Sequence, residues 1–320
     1  MKKSKKLYSL VILLAFITGS IYASDEFTTK NAAYMITEPG YHKCELTEYT
    51  GDAERVVVPQ TVNYEGQAYT ITGIGFEAFN LNASVVTVEL ASTVDYIGPG
   101  AFADCYNLAS INLNNVTIIG DNAFSNDQSL KDVVFSERLT SIGAKTFLGC
   151  IGFKSLKIPN STTSISEEAF QGCENLSRVI FGNGMKTIGD NAFAACSALQ
   201  SVSCHAPEPP QLGENTFDME VTQNILLYIP TGTKDLYVES AWGEYFAFEN
   251  IIEKGPAVTR SQTVEVAEEK APKRTGEVKV SQKGNVVRVT LPEGASIEVY
   301  DEQNLLLETV KLIDGMLYNE

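Results

Sequence analysis

Histidine is nearly missing from this chain: His42 and His205 are the only two in 320 residues, and they lie far apart in the sequence. That argues against a histidine pair for metal or acid–base work. No H-E-x-x-H, G-x-S-x-G, Walker or G-x-G-x-x-G pattern offers hydrolytic, metal or nucleotide chemistry by another route. Basic residues are scarce as well, 24 against 40 acidic ones for a net charge of -16. Setting aside the four lysines of the first six residues takes the charge to -20. A chain of that sign is repelled by phosphate backbones, so nucleic acid is excluded as a partner, and the acidity reads as a solubilised surface. Six cysteines are too few to build the fold from disulfides. Beyond residue 24 no apolar run reaches the roughly 18 to 20 residues that span a bilayer. The first 24 residues are different: Met1-Lys2-Lys3-Ser4-Lys5-Lys6, an apolar stretch from Leu7 to Ile17, and Ile21-Tyr22-Ala23 before Ser24. That is the form of a signal peptide, cleaved after Ala23 or Ser24, and it predicts an exported protein, secreted or on the outer cell surface. No cysteine sits near that site to carry a lipid.

What the chain does have is a repeat. Ile-Gly-x-x-Ala-Phe, with small departures at Thr146 and Ser166, recurs with its phenylalanine at Phe79, Phe102, Phe124, Phe147, Phe170 and Phe193, and in degenerate form at Phe217. The spacings are 23, 22, 23, 23, 23 and 24 residues. A fixed period in this range predicts a solenoid whose coils bury their apolar side only by stacking on neighbours. Nine and eleven residues after each phenylalanine come apolar pairs such as Val88 and Leu90, Leu156 and Ile158, or Val179 and Phe181. Their alternation with polar residues predicts one short strand per coil. A second short strand is expected to lead into each Ile-Gly. The Ala-Phe segment is expected to turn the chain back, with the phenylalanine filling the coil.

Ile-Gly-x-x-Ala-Phe-x-x-Cys-x-x-Leu-x-x-Val-x-Leu-Pro, clearest from Ile142 to Pro159 and from Ile165 to Phe181, resembles the BspA-like, or treponemal, type of bacterial leucine-rich repeat. The likeness extends over roughly residues 26 to 253. It takes in an irregular N-terminal coil with a hairpin around Thr61 to Ile71, and an aromatic C-terminal cap holding Tyr237, Trp242 and Phe246. Expected boundaries are a signal peptide at 1–24, an N-terminal capping coil at 25–73, the solenoid at 74–217, a C-terminal cap at 218–253, a linker at 254–276 and a small antiparallel β domain at 277–320. The last is similar to the C-terminal sorting domains of many exported Bacteroidetes proteins, shortened at its end. The fold class expected is thus a mainly β leucine-rich repeat solenoid of about 23-residue coils, followed by a small antiparallel β domain.

The polar members of the strands predict where a ligand would sit. Eight and ten residues after each phenylalanine come Thr87 and Glu89, Ser110 and Asn112, Asp132 and Val134, Ser155 and Lys157, Arg178 and Ile180, and Ser201 and Ser203. These form two outward columns, the kind of extended surface on which solenoids bind proteins. The group Val134, Lys157, Arg178 and Ile180 combines apolar and cationic residues in an acidic chain. Cys150, Cys173 and Cys196 share one column. In-register stacking leaves their Cβ atoms near 4.8 Å apart where about 3.8 Å suits a disulfide, so buried free thiols are expected. Three cysteines in a line do not make a tetrahedral metal site. Glu77, Glu167, Glu168, Asp190 and Glu214 lie before Ala-Phe, where other copies hold Pro99-Gly100 or Ala144-Lys145, so no paired catalytic acid is demanded. No catalytic residue, cofactor site or metal ligand set is expected. The resemblance implies adhesion to host matrix or plasma proteins, such as fibronectin and fibrinogen, or to other bacterial surface proteins. The alternative is a structural envelope or matrix component that assembles with its own copies.

Overall fold

The computed structural model describes residues 26–131 and 133–257, and the backbone of five strands between residues 279 and 319. The expected signal peptide, Asp132 and most of the expected linker lie outside the described residues. The chain divides into two compact units between Val258 and Thr259. In the second, Lys279–Lys283 pairs antiparallel with Val286–Thr290, while Ser296–Tyr300, Leu306–Ile313 and Met316–Asn319 form an antiparallel three-stranded sheet.

The first unit is a solenoid whose coils are held to one another on up to three sides. On one side the Ile-Gly segments pair in parallel, Ile97 beside Ile119, Ile142, Ile165 and Ile188 in successive coils. The glycine is required by how close the coils come there: a Cβ on Gly98 would lie 2.8 Å from the Gly75 carbonyl carbon, and one on Gly189 would lie 2.6 Å from the Glu167 nitrogen. On the second side the alternating strands pair in parallel, Leu156 beside Val179 and Val179 beside Val202.

The third side is formed by the Ala-Phe segment, where alternate N–H groups all point to the following coil. Phe79, Phe102, Phe124, Phe147 and Phe170 donate to the carbonyls of Ala101, Ala123, Thr146, Ala169 and Ala192 at 2.7 to 2.9 Å. This direction is reached by placing the residue two before each phenylalanine in the left-handed region, as at Glu77, Gly100, Asn122, Lys145, Glu168 and Asn191. A single tight turn is therefore too simple a description of this segment. It is a hydrogen-bonded ladder of its own, which leaves few main-chain groups between coils unpaired.

Inside, the phenylalanines stack. Phe102, Phe124, Phe147, Phe170 and Phe193 follow one another with ring centroids 5.2 to 5.3 Å apart and nearly parallel planes. Tyr49 closes the N-terminal end of the stack at 4.9 Å from Phe79, and Trp242, Tyr245 and Phe246 close the other, each 5.7 Å from Phe217. Both ends of the apolar column are thereby taken out of water, which a solenoid requires.

The ends are more regular than their sequences suggest. Instead of an irregular coil, the N-terminus carries Glu26–Thr28, Ala32–Glu38 and Lys43–Tyr49 as an antiparallel sheet, joined in parallel to Gln67–Ile74. The expected hairpin is Thr61–Tyr64 against Gln67–Ile74. Arg55–Val58 pairs with Thr87–Leu90 as one more rung of the alternating ladder. The C-terminal cap adds two further rungs, Leu226–Thr231 and Ile251–Ala257, the second running into the segment assigned to the linker.

Candidate protein-binding face

The alternating strands bury one set of side chains and turn the other outward. Val88, Ile111, Leu156, Val179 and Val202 are buried with Leu90, Leu113, Ile158, Phe181 and Cys204. Between them Ser110, Val134, Ser155, Lys157 and Arg178 are exposed, while Thr87, Glu89, Asn112, Ile180, Ser201 and Ser203 are half-buried. Register brings the latter two groups into columns: Ser155 beside Arg178 beside Ser201, and Lys157 beside Ile180 beside Ser203. Thr87 stands beside Ser110 in the same manner.

Two corrections follow. The strands do not form one uninterrupted ladder, because Arg55–Val58, Thr87–Leu90 and Ser110–Ile111 make a three-stranded sheet and the strands from Ser155 onward a five-stranded one. Among the described residues, Leu113 and Phe135 alone bridge the two sheets. Within the three-stranded sheet the pairing of Thr87–Leu90 with Ser110–Ile111 is cut short by Asn112, whose side-chain Oδ1 accepts the N–H of Leu90 at 2.6 Å and whose Nδ2 donates to the Leu90 carbonyl at 3.0 Å. Its amide occupies both main-chain groups of Leu90 and stops the pairing after Ile111. The second correction concerns availability. Asn112 is consumed by this contact, and Glu89 holds Arg55 of the preceding rung at 2.6 Å. Neither is a free recognition group, whereas no ion pair engages Lys157 or Arg178 among the described residues.

Sequence reasoning missed five outward residues: Arg55 and Val57 at one end, and Leu226, Tyr228 and Ile252 at the other. Val57 stands beside Glu89, Leu226 beside Ser201, and Tyr228 beside both Ser203 and Ile252. The period of 23 does not reach them. Val-Val-Val-Pro and Leu-Tyr-Ile-Pro nevertheless carry the same alternation. Val134 is 69% exposed and Val57 60%, so this face displays apolar surface at several points.

The remaining candidates for chemistry are absorbed by the fold. All six cysteines are buried and free. The thiols of Cys105, Cys150, Cys173 and Cys196 donate to the carbonyls of Phe79, Phe124, Phe147 and Phe170, the phenylalanines of the coil before each. Burial pushes Cys105 and Cys196 up to about 12 and holds Cys150 and Cys173 well above the ordinary thiol range. They are protonated donors and not nucleophiles. The Tyr237 hydroxyl donates to the Ala206 carbonyl at 2.8 Å and lies 3.2 Å from the Cys204 sulfur. His42 and His205 are both exposed. Among the described residues no group of three or more His, Cys, Asp or Glu side chains is placed to hold a metal. Asp121 and Asp190, in the turns before Ala-Phe, accept the N–H of Ala144 and Glu214 in the next coil.

The BspA type leucine rich repeat region family matches this chain in six copies, over residues 62–157 and 140–236, more than half of its length. Solved structures similar to it include a leucine rich cell surface protein from Faecalibacterium prausnitzii, 24% identical with a TM-score of 0.49, the match covering 59% of this chain and 57% of that one. The leucine rich repeat protein of T. pallidum is 28% identical with a TM-score of 0.45, covering 55% of this chain and 91% of that one. A leucine-rich repeat protein from Bacteroides ovatus is 22% identical with a TM-score of 0.42, covering 63% and 70%. The chain thus spans little more than half the length of the first of these. No curated protein matches it significantly. With six matching copies laid over stacked coils that repeat the same columns, this chain belongs to the BspA-type leucine-rich repeat family.

Proposed function

We propose that this protein is exported and acts as a non-catalytic binding rod, holding protein ligands on the outward face of its alternating strands. Leucine-rich repeats of this family are in general binding modules rather than catalysts, and solenoids offer long, regular surfaces for that purpose. The observation that carries the reading is the pair of in-register outward columns, Ser155, Arg178 and Ser201 beside Lys157, Ile180 and Ser203, rigidly backed by the buried members of the same strands. Contiguous exposed apolar residues rimmed by polar ones mark interaction surfaces, and Leu226, Tyr228 and Ile252 adjoin one another on this face. No helix of the described residues is long and apolar enough to cross a membrane. The ligands proposed are host extracellular-matrix or plasma proteins, or surface proteins of other cells, so that the rod serves adhesion.

The test is binding of the mature chain to immobilised fibronectin and fibrinogen, compared with a variant carrying Arg178→Ala and Ile180→Ala. The reading expects saturable binding that weakens at least about tenfold in the variant, the loss of about 1.4 kcal/mol, with unchanged thermal unfolding. Equal binding by both chains places the ligand elsewhere. Concentration-dependent polymers in light scattering, with no binding to either protein, would instead favour assembly with its own copies.

A further inference from the structure

We infer that the five-stranded sheet takes an extended, acidic polypeptide segment whose carboxylates flank a run of apolar side chains. This rests on the reading of the outward face as the ligand face, and adds to it the chemistry of the partner. Along the sheet the outward residues Lys157, Arg178, Ile180, Leu226, Tyr228 and Ile252 are brought together by register across five rungs. Lys254 follows on the last strand, its ammonium 5.0 Å from the centroid of the Tyr228 ring.

Charge is the first argument. The chain carries 40 acidic residues against 24 basic ones, yet none of the outward positions on these five strands holds a carboxylate. Glu253 belongs to the opposite set of its strand, and its Oε1 accepts the N–H groups of Gly232 and Lys234. Lys157, Arg178 and Lys254 are engaged in no ion pair among the described residues, unlike Arg55, which Glu89 holds on the three-stranded sheet. A cationic strip with no ion pair among the described residues, on an acidic protein, steers anionic groups to itself.

The arrangement of the apolar groups is the second argument. Rung by rung the face presents Lys157, then Arg178 with Ile180, then Ser201 with Ser203, then Leu226 with Tyr228, and last Ile252 with Lys254, so cations stand on the outer rungs and apolar side chains beside and between them. A sulfated sugar would use the cations and leave the four apolar side chains idle, whereas a polypeptide presents carboxylates and apolar side chains on one chain. Four rung steps of about 4.8 Å make roughly 19 Å, which an extended chain at about 3.3 Å per residue covers in about six residues.

The experiment uses the mature chain and three probes: an octapeptide of four central leucine and tyrosine residues with two glutamates at each end, the same peptide with lysine for glutamate, and a heparin octasaccharide. Fibronectin and fibrinogen binding is followed in parallel, with the acidic peptide added as competitor. The inference expects the acidic peptide alone to bind, to compete, and to lose at least about thirtyfold in affinity in Lys157→Glu/Arg178→Glu, about 2 kcal/mol. That variant should instead take up the lysine peptide. Binding of heparin only, of the lysine peptide by the parent chain, or of the acidic peptide equally by both chains overturns the inference. If fibronectin or fibrinogen binds in an Arg178- and Ile180-dependent way and the acidic peptide neither binds nor competes, the partner chemistry is refuted and the ligand face stands. If nothing binds, both are refuted.

Discussion

Replacing Asp127 with cysteine should stabilise this protein, and by an amount that depends on pH. Asp127 occupies the column that holds Cys105, Cys150, Cys173 and Cys196 in other coils, and it is fully buried. Its Oδ1 accepts the N–H of Cys105 at 2.8 Å, while Oδ2 has no partner. Burial, with the charge of Asp104 adding to it, pushes the carboxyl up to about 9, so at neutral pH it is a protonated acid. In the unfolded chain the same group ionises near 3.9. Folding at pH 7 therefore takes up a proton across about three pH units, at about 1.4 kcal/mol each, a cost of about 4 kcal/mol. From pH 3.9 up to about 9 the folded state holds one proton more than the unfolded state, so this contribution lowers stability as pH rises. Below pH 3.9 both states are protonated and the cost is gone.

A cysteine at this position avoids the titration and supplies an S–H, which the column's register aims at the carbonyl of Phe102. The Cys105 N–H loses the carboxyl oxygen but keeps the Phe102 carbonyl at 3.1 Å, so that loss is about 1 kcal/mol. The net expectation for Asp127→Cys is a gain of about 3 kcal/mol at pH 7, larger at pH 8.5 and near zero at pH 4. Denaturant unfolding followed by circular dichroism at those three values reads it directly. An equal gain at pH 4 and pH 8.5, or a loss at pH 8.5, refutes the reasoning.

Three further outcomes are expected. Phe147→Ala should destabilise the rod by about 3 to 5 kcal/mol, because the ring stacks between Phe124 and Phe170, while Lys157→Ala should leave the thermal transition within about 0.5 kcal/mol. Equal thermal shifts for the two would contradict the column assignment. Asn112→Ala should strip both side-chain partners from the main chain of Leu90 and cost about 1 to 3 kcal/mol, seen as faster amide exchange at Leu90 and not at Val179. Gly189→Ala should cost about 1 to 3 kcal/mol, since its Cβ would meet the main chain of Ser166 and Glu167. A calorimetric scan matching the parent would show that the coils yield there.

The solenoid was legible in the sequence because a phenylalanine fills each coil and stacks on the rings of its neighbours, which repeats the residue at a fixed period. The outward columns followed from strand alternation once that period was known. Where the period lapses, legibility lapses with it. The coil ending at Leu226 keeps only the degenerate Phe217 before a short helix, Met219–Thr222, and the one ending at Ile251 replaces Ala-Phe with Lys234–Val238 and Trp242–Tyr245, so the repeat signature fades and then vanishes. At the N-terminus Tyr34 and Ile36, then Cys44 and Leu46, alternate with less buried residues as strands do, and that signal passed unused. Asp127 departed visibly from its cysteine column, whereas Asn112 passed as one more outward polar residue, and what either does depends on contacts across coils, Asn112 with Leu90 and Asp127 with Cys105, that only coordinates provide.

The central claim is that ligands seat on the outward face of the alternating strands. Hydroxyl-radical footprinting of the mature chain, alone and with a bound ligand such as fibronectin, tests it most directly. Protection is predicted at Val134, Ile180 and Tyr228, with Tyr96 and Ile118, neighbours on the Ile-Gly side, labelled as in the free chain. Protection of Tyr96 and Ile118 with unchanged labelling of Ile180 and Tyr228 would contradict it.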